Sequence, residues 1–477
     1  MTVEKHTLWT SHDAEQAARG HASSEWSASG VSIDTRTLQS GDLFVALHGP
    51  NFNGHNFVPD ALARGAAAAM VDEEIESGTL LKVDDTMEAL EDLGRAARQR
   101  TKASVIAITG SVGKTGTKEA LKLVLSRQGE TAASEGSLNN HWGLPLSLSR
   151  MPATADFGIF EMGMNHPGEI APLSLLARPH VALITTVEPV HSEFFENENA
   201  IADAKAEIFT GLESGGAVVL NRDNRHFQRL SDAARARDIE RIISFGIDDK
   251  ADFRLLDAVP ENGGTVIRAD LGGAMHTYRL AVPGRHWLIN SLGVLATVAA
   301  VGGHVASAAA ALNDLEAPKG RGRFHRVHMV DGEMTLIDES YNASPVSMRA
   351  ALQVLGQTPV APGGRRIAVL GDMLELGDES PSLHAALAEV LADEQIDLVF
   401  TAGPDMAHLH SALDPAKRGA HAIDSQSLLP MVCEAVAAGD AVAVKGSAGS
   451  KTGIIVDALM GLGEGIGSNT QRVVNGD

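Results

Sequence analysis

The sequence predicts an α/β protein built from more than one domain. Its 477 residues amount to about three domains of ordinary size. From residue 104 onward, short apolar runs alternate with helical stretches, the pattern of a parallel sheet with helices on both faces. One passage is especially clear. Ile106-Ala107-Ile108-Thr109 leads through Gly110-Ser111-Val112-Gly113 into Lys114-Thr115 and a helix over 116–126, a strand, a glycine-rich turn and a helix in sequence.

The first segment, to about residue 102, holds short strand-like runs over 41–47 and 67–71, loops rich in Gly, Asn and His, and a closing helix over 85–98. A polar Gln-Arg-Thr-Lys connection ends that segment, and the second has strands over 104–108, 157–161, 181–185 and 217–220. The third begins near the Pro318-Lys319-Gly320-Arg321 turn and carries strands over 335–337, 367–370, 398–401 and 441–444. The expected boundaries are 1–102, 103–316 and 317–477. The tail from Gly463 is polar and glycine-rich and is expected to fray.

From Trp287 to Leu312 there is no Asp, Glu, Lys or Arg, a length sufficient to span a bilayer. The stretch is mostly Ala, Gly and Ser, with Asn290 and His304 inside it, so two buried helices broken near Gly302-Gly303 are expected. The first twenty residues contain no apolar core of a signal peptide, and a soluble, cytoplasmic protein is expected. Lys plus Arg number 39 against 61 Asp plus Glu, a net charge of −22. Such a surface repels nucleic acid at long range, so any anionic ligand must be held by local cations and backbone donors. The single Cys433 excludes a disulfide framework and a cysteine metal cluster.

Glycines in Thr109-Gly110-Ser111-Val112-Gly113-Lys114-Thr115 let the backbone N–H groups turn toward a phosphate, with a helix dipole behind them. Lys114 adds a point charge, and the Thr115 hydroxyl can hold magnesium. Ile108 stands where a longer phosphate loop has Gly or Ala. Glu161 closes an apolar run and, in an open parallel sheet, points toward the ligand end; on pattern alone such a strand-end glutamate is more often a solvated or capping group. His191 in a loop and Lys205 in a helix are ordinary on pattern alone. Lys445-Gly446-Ser447-Ala448-Gly449-Ser450-Lys451-Thr452 imitates a phosphate loop, but Ser450 separates the glycine from the Lys-Thr pair. A substrate-contacting loop or a plain strand-to-helix turn is expected there.

Taken in order, Thr109 to Thr115, Glu161-Met162-Gly163-Met164, His191, Ala204-Lys205-Ala206-Glu207, Gly284-Arg285-His286 with Asn290, Lys319-Gly320-Arg321 and Asp338-Glu339-Ser340-Tyr341-Asn342-Ala343-Ser344-Pro345 resemble the motif series of the Mur ligases, the amide-forming enzymes that build the peptidoglycan stem peptide. The resemblance runs from about residue 31 to about 460. It implies a small N-terminal α/β domain gripping the UDP end of the substrate, a central parallel-sheet ATPase domain with a phosphate loop, and a Rossmann-like C-terminal domain closing over the site.

Within the family, the Tyr-Asn-Ala-Ser-Pro form and Asn139-Asn140-His141-Trp142-Gly143 are similar to the branch that joins UDP-N-acetylmuramoyl-tripeptide to D-alanyl-D-alanine. The resemblance further implies ATP held by the 109–115 loop, one Mg2+ on Thr115 and Glu161, and a second near His191. It implies a Lys205 carbamylated by CO2, adenine near Asn290 and Asn342, ribose near Asp338, and the γ-phosphate near Lys114 and Arg321. Substrate contacts are expected at Asp34, Arg36, Asn139 and Asn140, and the enzyme is expected to be a monomer.

Three positions depart from the pattern. Trp287 stands where Asn follows the histidine, Asn53-Gly54-His55 replaces Asp-Gly-His, and Asp34 with Arg36 could equally form a structural pair. A nucleotide-dependent regulatory switch is the reading from another class, and no guanine-specifying Asn-Lys-x-Asp motif accompanies the loop.

Overall fold

The computed structural model describes residues 7–189, 192–261 and 264–470. Its three main sheets follow one another along the chain, an α/β architecture throughout. The first has five strands in the order His21–Ala22, Leu80–Lys82, Ala68–Val71, Asp42–Val45, Gly30–Ser32. It is parallel apart from its His21–Ala22 edge. The helix Thr86–Arg100 starts where the Asp85 carboxylate accepts the N–H groups of Met87 and Glu88, satisfying donors that the first turn leaves open.

That helix also joins the first sheet to the second. A Cβ added to Gly94 would lie 3.1 Å from the carbonyl oxygen of Pro145, so the bare backbone of Gly94 is what lets the helix Gly143–Ser149 approach. Trp9 Nε1 donates to Ser149 O at 2.9 Å, and buried Arg98 donates to the carbonyls of Ala177 and Arg178 at 2.7 Å each.

The second sheet has nine strands in the order Thr131–Ala133, Phe157–Glu161, Ser104–Thr109, Val181–Ile184, Ala217–Asn221, Arg241–Gly246, Phe253–Glu261, Gly264–Leu271, Met275–Leu280. Its first seven strands are parallel. Along Ser104–Thr109 the side chains alternate between two cores. Val105 and Ala107 join the cluster with Leu144, Phe160 and Ile170, while Ile106 and Ile108 join the cluster with Leu121, Leu292 and Leu295. Both faces are buried, which is why the run reads as continuously apolar. The antiparallel meander over 253–280 is not among the strands that apolar runs predict. Phe253–Glu261 is mostly exposed, and Arg254, Asp257 and Glu261 interrupt its apolar residues. The uncharged stretch forms two helices, Arg285–Ala300 and Val305–Ala311, with the break at Gly302-Gly303. Among the described residues no helix is long and apolar enough to cross a membrane.

The third sheet runs Arg323–Met329, Gly332–Glu339, Ala441–Lys445, Arg366–Gly371, Leu398–Ala402, Arg418–Ala422. All pairs are parallel except the first hairpin. The helix Pro345–Gln357 is capped by the Ser344–Ser347 box with Pro345 in its first turn. The expected loose tail is corrected at one point: the Gly453–Thr470 helix continues through Gly463.

Candidate active site

The ligand end of the second sheet faces the ligand end of the third across a cleft of about 1160 Å³. Ser104–Thr109 lies between Phe157–Glu161 and Val181–Ile184. The chain crosses from one side of that strand to the other here, which is where open α/β sheets bind ligands. The loop after it is tightly held. Gly113 takes φ +85° and caps the Lys114–Leu125 helix, a conformation that favours glycine. A Cβ there would sit 2.7 Å from Asn290 Nδ2. Thr185 Oγ1 donates to Val112 O at 2.6 Å, and Ser111 Oγ donates to Glu188 O at 2.9 Å while accepting the Glu188 N–H at 2.9 Å. Lys114 Nζ folds back onto Gly110 O at 2.7 Å. Burial pushes its pKa down, Glu161 pulls it up, and Arg321 pushes it down again.

Glu161 is 1% exposed. Its Oε2 accepts the Thr115 hydroxyl at 2.8 Å and its Oε1 accepts Asn139 Nδ2 at 2.7 Å. Both direct donors to this buried carboxylate are neutral, so apart from the nearby Lys114 charge no cation among the described residues contacts it. Two hard oxygens 2.8 Å apart match adjacent positions on an octahedral magnesium ion, roughly 2.9 Å at Mg–O distances of 2.0–2.1 Å. The donor set therefore fits Mg2+. Lys205 lies buried in the Glu198–Ala206 helix, its amine with no hydrogen-bond or ion-pair partner among the described residues. Its pKa is driven well below the ordinary lysine value by burial first and by the Lys114 charge second. His191 lies outside the described residues.

From the third sheet, Arg321 Nη2 reaches across to Ser137 Oγ at 3.1 Å, with its guanidinium 4.1 Å over the Tyr341 ring. Asp338 is 1% exposed. It accepts the Gly320 N–H at 2.8 Å on one oxygen, and the Ser340 hydroxyl and N–H on the other, so it anchors the turn that presents Arg321. Asn342 lines the cleft.

Three family models match successive parts of the chain: a Mur ligase family catalytic domain over 27–98, a Mur ligase middle domain over 108–298 and a Mur ligase glutamate ligase domain over 322–448. Similar relatives include the UDP-N-acetylmuramoyl-tripeptide–D-alanyl-D-alanine ligases of Rickettsia prowazekii (31% identical, covering 94% of this chain and 99% of that one) and Bacillus subtilis (34%, covering 90% and 93%). The chain belongs to the Mur ligase family. Among solved structures, a MurF crystal structure from Acinetobacter baumannii superposes with a TM-score of 0.82 at 29% identity, covering 96% of this chain and all of that one. The Thermotoga maritima MurF ligase in complex with ADP gives 0.74 at 25% identity, covering 91% and 98%.

The remaining expected residues of this Mur ligase are not all in the cleft. Asp34 and Arg36 form an ion pair at 2.6 Å, with the carboxylate held below its usual range by the Arg36 hydrogen bonds; neither lines the cleft. Asn140 Oδ1 accepts the N–H groups of Trp142 and Gly143 at the start of the Gly143–Ser149 helix, whereas Asn139 reaches Glu161. Trp287 is a core residue against which Gly116 packs; a Cβ on Gly116 would stand 2.7 Å from the indole. Glu207 caps the neighbouring Ile170–Ala177 helix, accepting from Gly168, Ile170 and Ala171 N–H groups.

Sequence reasoning misses Lys118 and gives no role of their own to Glu339, within a quoted motif, or to Lys445, which opens the imitation phosphate loop. Lys118 is fully buried and donates to Ser134 O and Gly136 O at 2.6 Å each, fixing the loop that carries Ser137. Lys445 Nζ donates to Glu339 Oε2 at 3.2 Å and Asn342 O at 2.9 Å. Beside it, Ser447, Ala448 and Gly449 of the imitation phosphate loop line the cleft. Lys445 ends the apolar strand Ala441–Lys445 with a charge, the signal that singles out Glu161.

Proposed function

We propose that this Mur ligase uses ATP to join D-alanyl-D-alanine to the terminal carboxylate of UDP-N-acetylmuramoyl-tripeptide. The products are the UDP-linked pentapeptide for peptidoglycan synthesis, ADP and phosphate. The observation that carries this reading is the convergence of Lys114, Arg321 and the Thr115–Glu161 pair in one cleft between two sheets, in a chain whose near-full-length relatives bear that substrate pair in their names.

The substrate carboxylate attacks the γ-phosphorus of ATP and ADP leaves, giving an acyl phosphate. The dipeptide amine attacks the acyl carbon, phosphate leaves, and the amine gives up a proton. The first step brings two anions together, so its barrier falls with neutralisation and positioning. The loop amides and Lys114 are assigned to the β- and γ-phosphates, and Arg321 to the γ-phosphate from the opposite wall. Thr115 and Glu161 would hold one Mg2+; His191 and a carbamylated Lys205 would serve a second. Bound magnesium supplies charge neutralisation and polarises the phosphoryl oxygens.

The neutral amine favoured at Lys205 supports carbamylation, because only the unprotonated nitrogen can attack CO2; the carbamate then replaces a cation with an anion. Asn290 and Asn342 are assigned to the adenine, Asp338 to the ribose, and Asp34, Arg36, Asn139 and Asn140 to the UDP-linked substrate. Closing the third domain over the cleft excludes the water that would hydrolyse an acyl phosphate. The enzyme is assigned to the cytoplasm as a monomer.

The deciding experiment incubates the protein with MgATP and each acceptor alone or together, with mass detection of products. Phosphate release is expected to need the UDP-tripeptide, and amide product to need both acceptors. Equal ATP turnover with neither acceptor overturns the ligase reading, and product with another amino acid in place of D-alanyl-D-alanine reassigns the acceptor.

A further inference from the structure

The first sheet carries a second group of ligating side chains, none of which lines the nucleotide cleft. His48 opens the small hairpin His48–Gly49 with Phe52–Asn53. His55 follows in the turn Gly54–Phe57, and Asp72 directly follows the strand Ala68–Val71. The Nε2 atoms of both imidazoles lie 3.0 Å from Asp72 Oδ1. The three ligand atoms are within 4.8 Å of one another.

The surrounding hydrogen bonds place the protons. Asn53 Nδ2 donates to Glu73 Oε1 at 2.8 Å, which orients that amide and makes its Oδ1 an acceptor. The same Oδ1 receives the His55 N–H at 2.9 Å and faces His55 Nδ1 at 2.8 Å. Nδ1 of His55 is therefore the protonated nitrogen, and Nε2 presents a lone pair. Consistently, Nε2 accepts the backbone N–H of Asp72 at 3.2 Å. That lone pair also lies 3.0 Å from the anionic Asp72 Oδ1 with no His55 proton between them, so a cation bound there would replace the long 3.2 Å N–H contact and relieve the repulsion.

The outer partners are in place as well. Asp72 Oδ2 accepts the Thr86 N–H at 3.0 Å and the Thr86 hydroxyl at 3.2 Å. A histidine with its second nitrogen donating to a carbonyl oxygen, and a carboxylate with its outer oxygen hydrogen-bonded, are the supports that metal ligands use. His48 is half exposed and gives access from solvent, and Glu73 Oε1 stands 3.8 Å from His48 Nε2.

We propose that His48 Nε2, His55 Nε2 and Asp72 Oδ1 bind one divalent ion of the Zn2+ class, with Glu73 or water in the fourth position. Two imidazoles and one carboxylate select against magnesium. A tetrahedral ion with ligands at about 2.0–2.1 Å spaces neighbouring donors roughly 3.3 Å apart, near the two 3.0 Å contacts to Asp72 Oδ1, while the imidazole nitrogens lie within 4.8 Å of each other. The ion would brace the hairpin, whose Phe52 meets Trp142 of the second segment edge-on at 6.1 Å between ring centres.

The test uses the full chain, stripped of metal and held in excess MgADP so that the nucleotide cleft is occupied. Zn2+ is titrated against a chromophoric chelator. One equivalent is expected to bind, and His48→Ala and Asp72→Asn are each expected to weaken it about tenfold or more. Co2+ is expected to give the visible absorption of a four-coordinate ion, absent in His48→Ala. Asp72 also caps the Thr86 helix, so the deciding variant is His48→Ala, at a half-exposed position, with its fold checked by circular dichroism. Zn2+ binding unchanged in His48→Ala, or no binding by the parent chain, leaves only a surface ion pair and overturns the proposal.

Discussion

Burial in the Glu198–Ala206 helix removes the Lys205 amine from water, and the Lys114 charge adds to the cost of protonating it. A lysine in that position is a poor cation and a good nucleophile. Lys205→Ala is expected to abolish turnover. High bicarbonate is expected to leave that variant inactive, because no amine remains to carboxylate, while a short carboxylic acid that enters the vacated space restores part of the rate. Steady-state assays of the variant with and without each additive check this; full activity without additive removes the carbamate from the mechanism. In the parent enzyme, acid protonates the amine and strips CO2 from it. Activity lost at the acid end of the profile is therefore expected to recover partly with added bicarbonate.

At the scale of elements, His180 shows how a strand edge depends on one proton. Its backbone N–H donates to Val105 O at 2.7 Å, and its Nδ1 accepts the Val105 N–H at 2.9 Å, starting the pairing beside the phosphate-loop strand. Burial, then the Arg98 charge, lowers its pKa below 6.5. Below about pH 6.5 the unfolded chain therefore binds a proton that the folded chain refuses, so stability is full above that pH and falls as acid is added. His180→Asn keeps an acceptor near Nδ1 without the titration and is expected to flatten the slope of denaturation free energy between pH 6.5 and 5; an unchanged slope refutes it.

Gly94→Val would press a branched side chain onto the Pro145 carbonyl, 3.1 Å from the added Cβ. It is expected to cost about 1–3 kcal/mol, read as a lower melting temperature.

The same scale explains what was legible in the sequence. The strands around Val105, Ile159 and Leu183 are buried on both faces and announce themselves as apolar runs, and the glycine spacing marks Lys114. The meander over 253–280 is part exposed and so carries mixed polarity. Lys118 and Lys445 look like ordinary lysines because what distinguishes them, carbonyls from distant loops, exists only after folding. Asp338 is visible as a motif residue, but its grip on Gly320 is not.

For the whole molecule, electrostatics oppose the ligand at a distance and favour it on arrival. The net charge is −22. Lys114, Arg225, Arg285, Arg321, Arg349 and Lys445 line the cleft against Glu161, Glu188, Asp223, Glu339 and Glu375, a nearly balanced lining within an acidic body. At 0.01 M ionic strength the screening length is about 30 Å, so repulsion from the body reaches incoming MgATP; at 0.15 M it is about 8 Å and the local cations dominate. Electrostatic effects at long range act on association more than on the bound state. Stopped-flow measurement with a fluorescent ATP analogue is therefore expected to show an association rate that rises with salt between these two strengths, while dissociation changes less. A rate that falls steadily from the lowest salt would mean that the cleft field outweighs that of the body even at long range, and the acidic surface would then play no part in nucleotide capture.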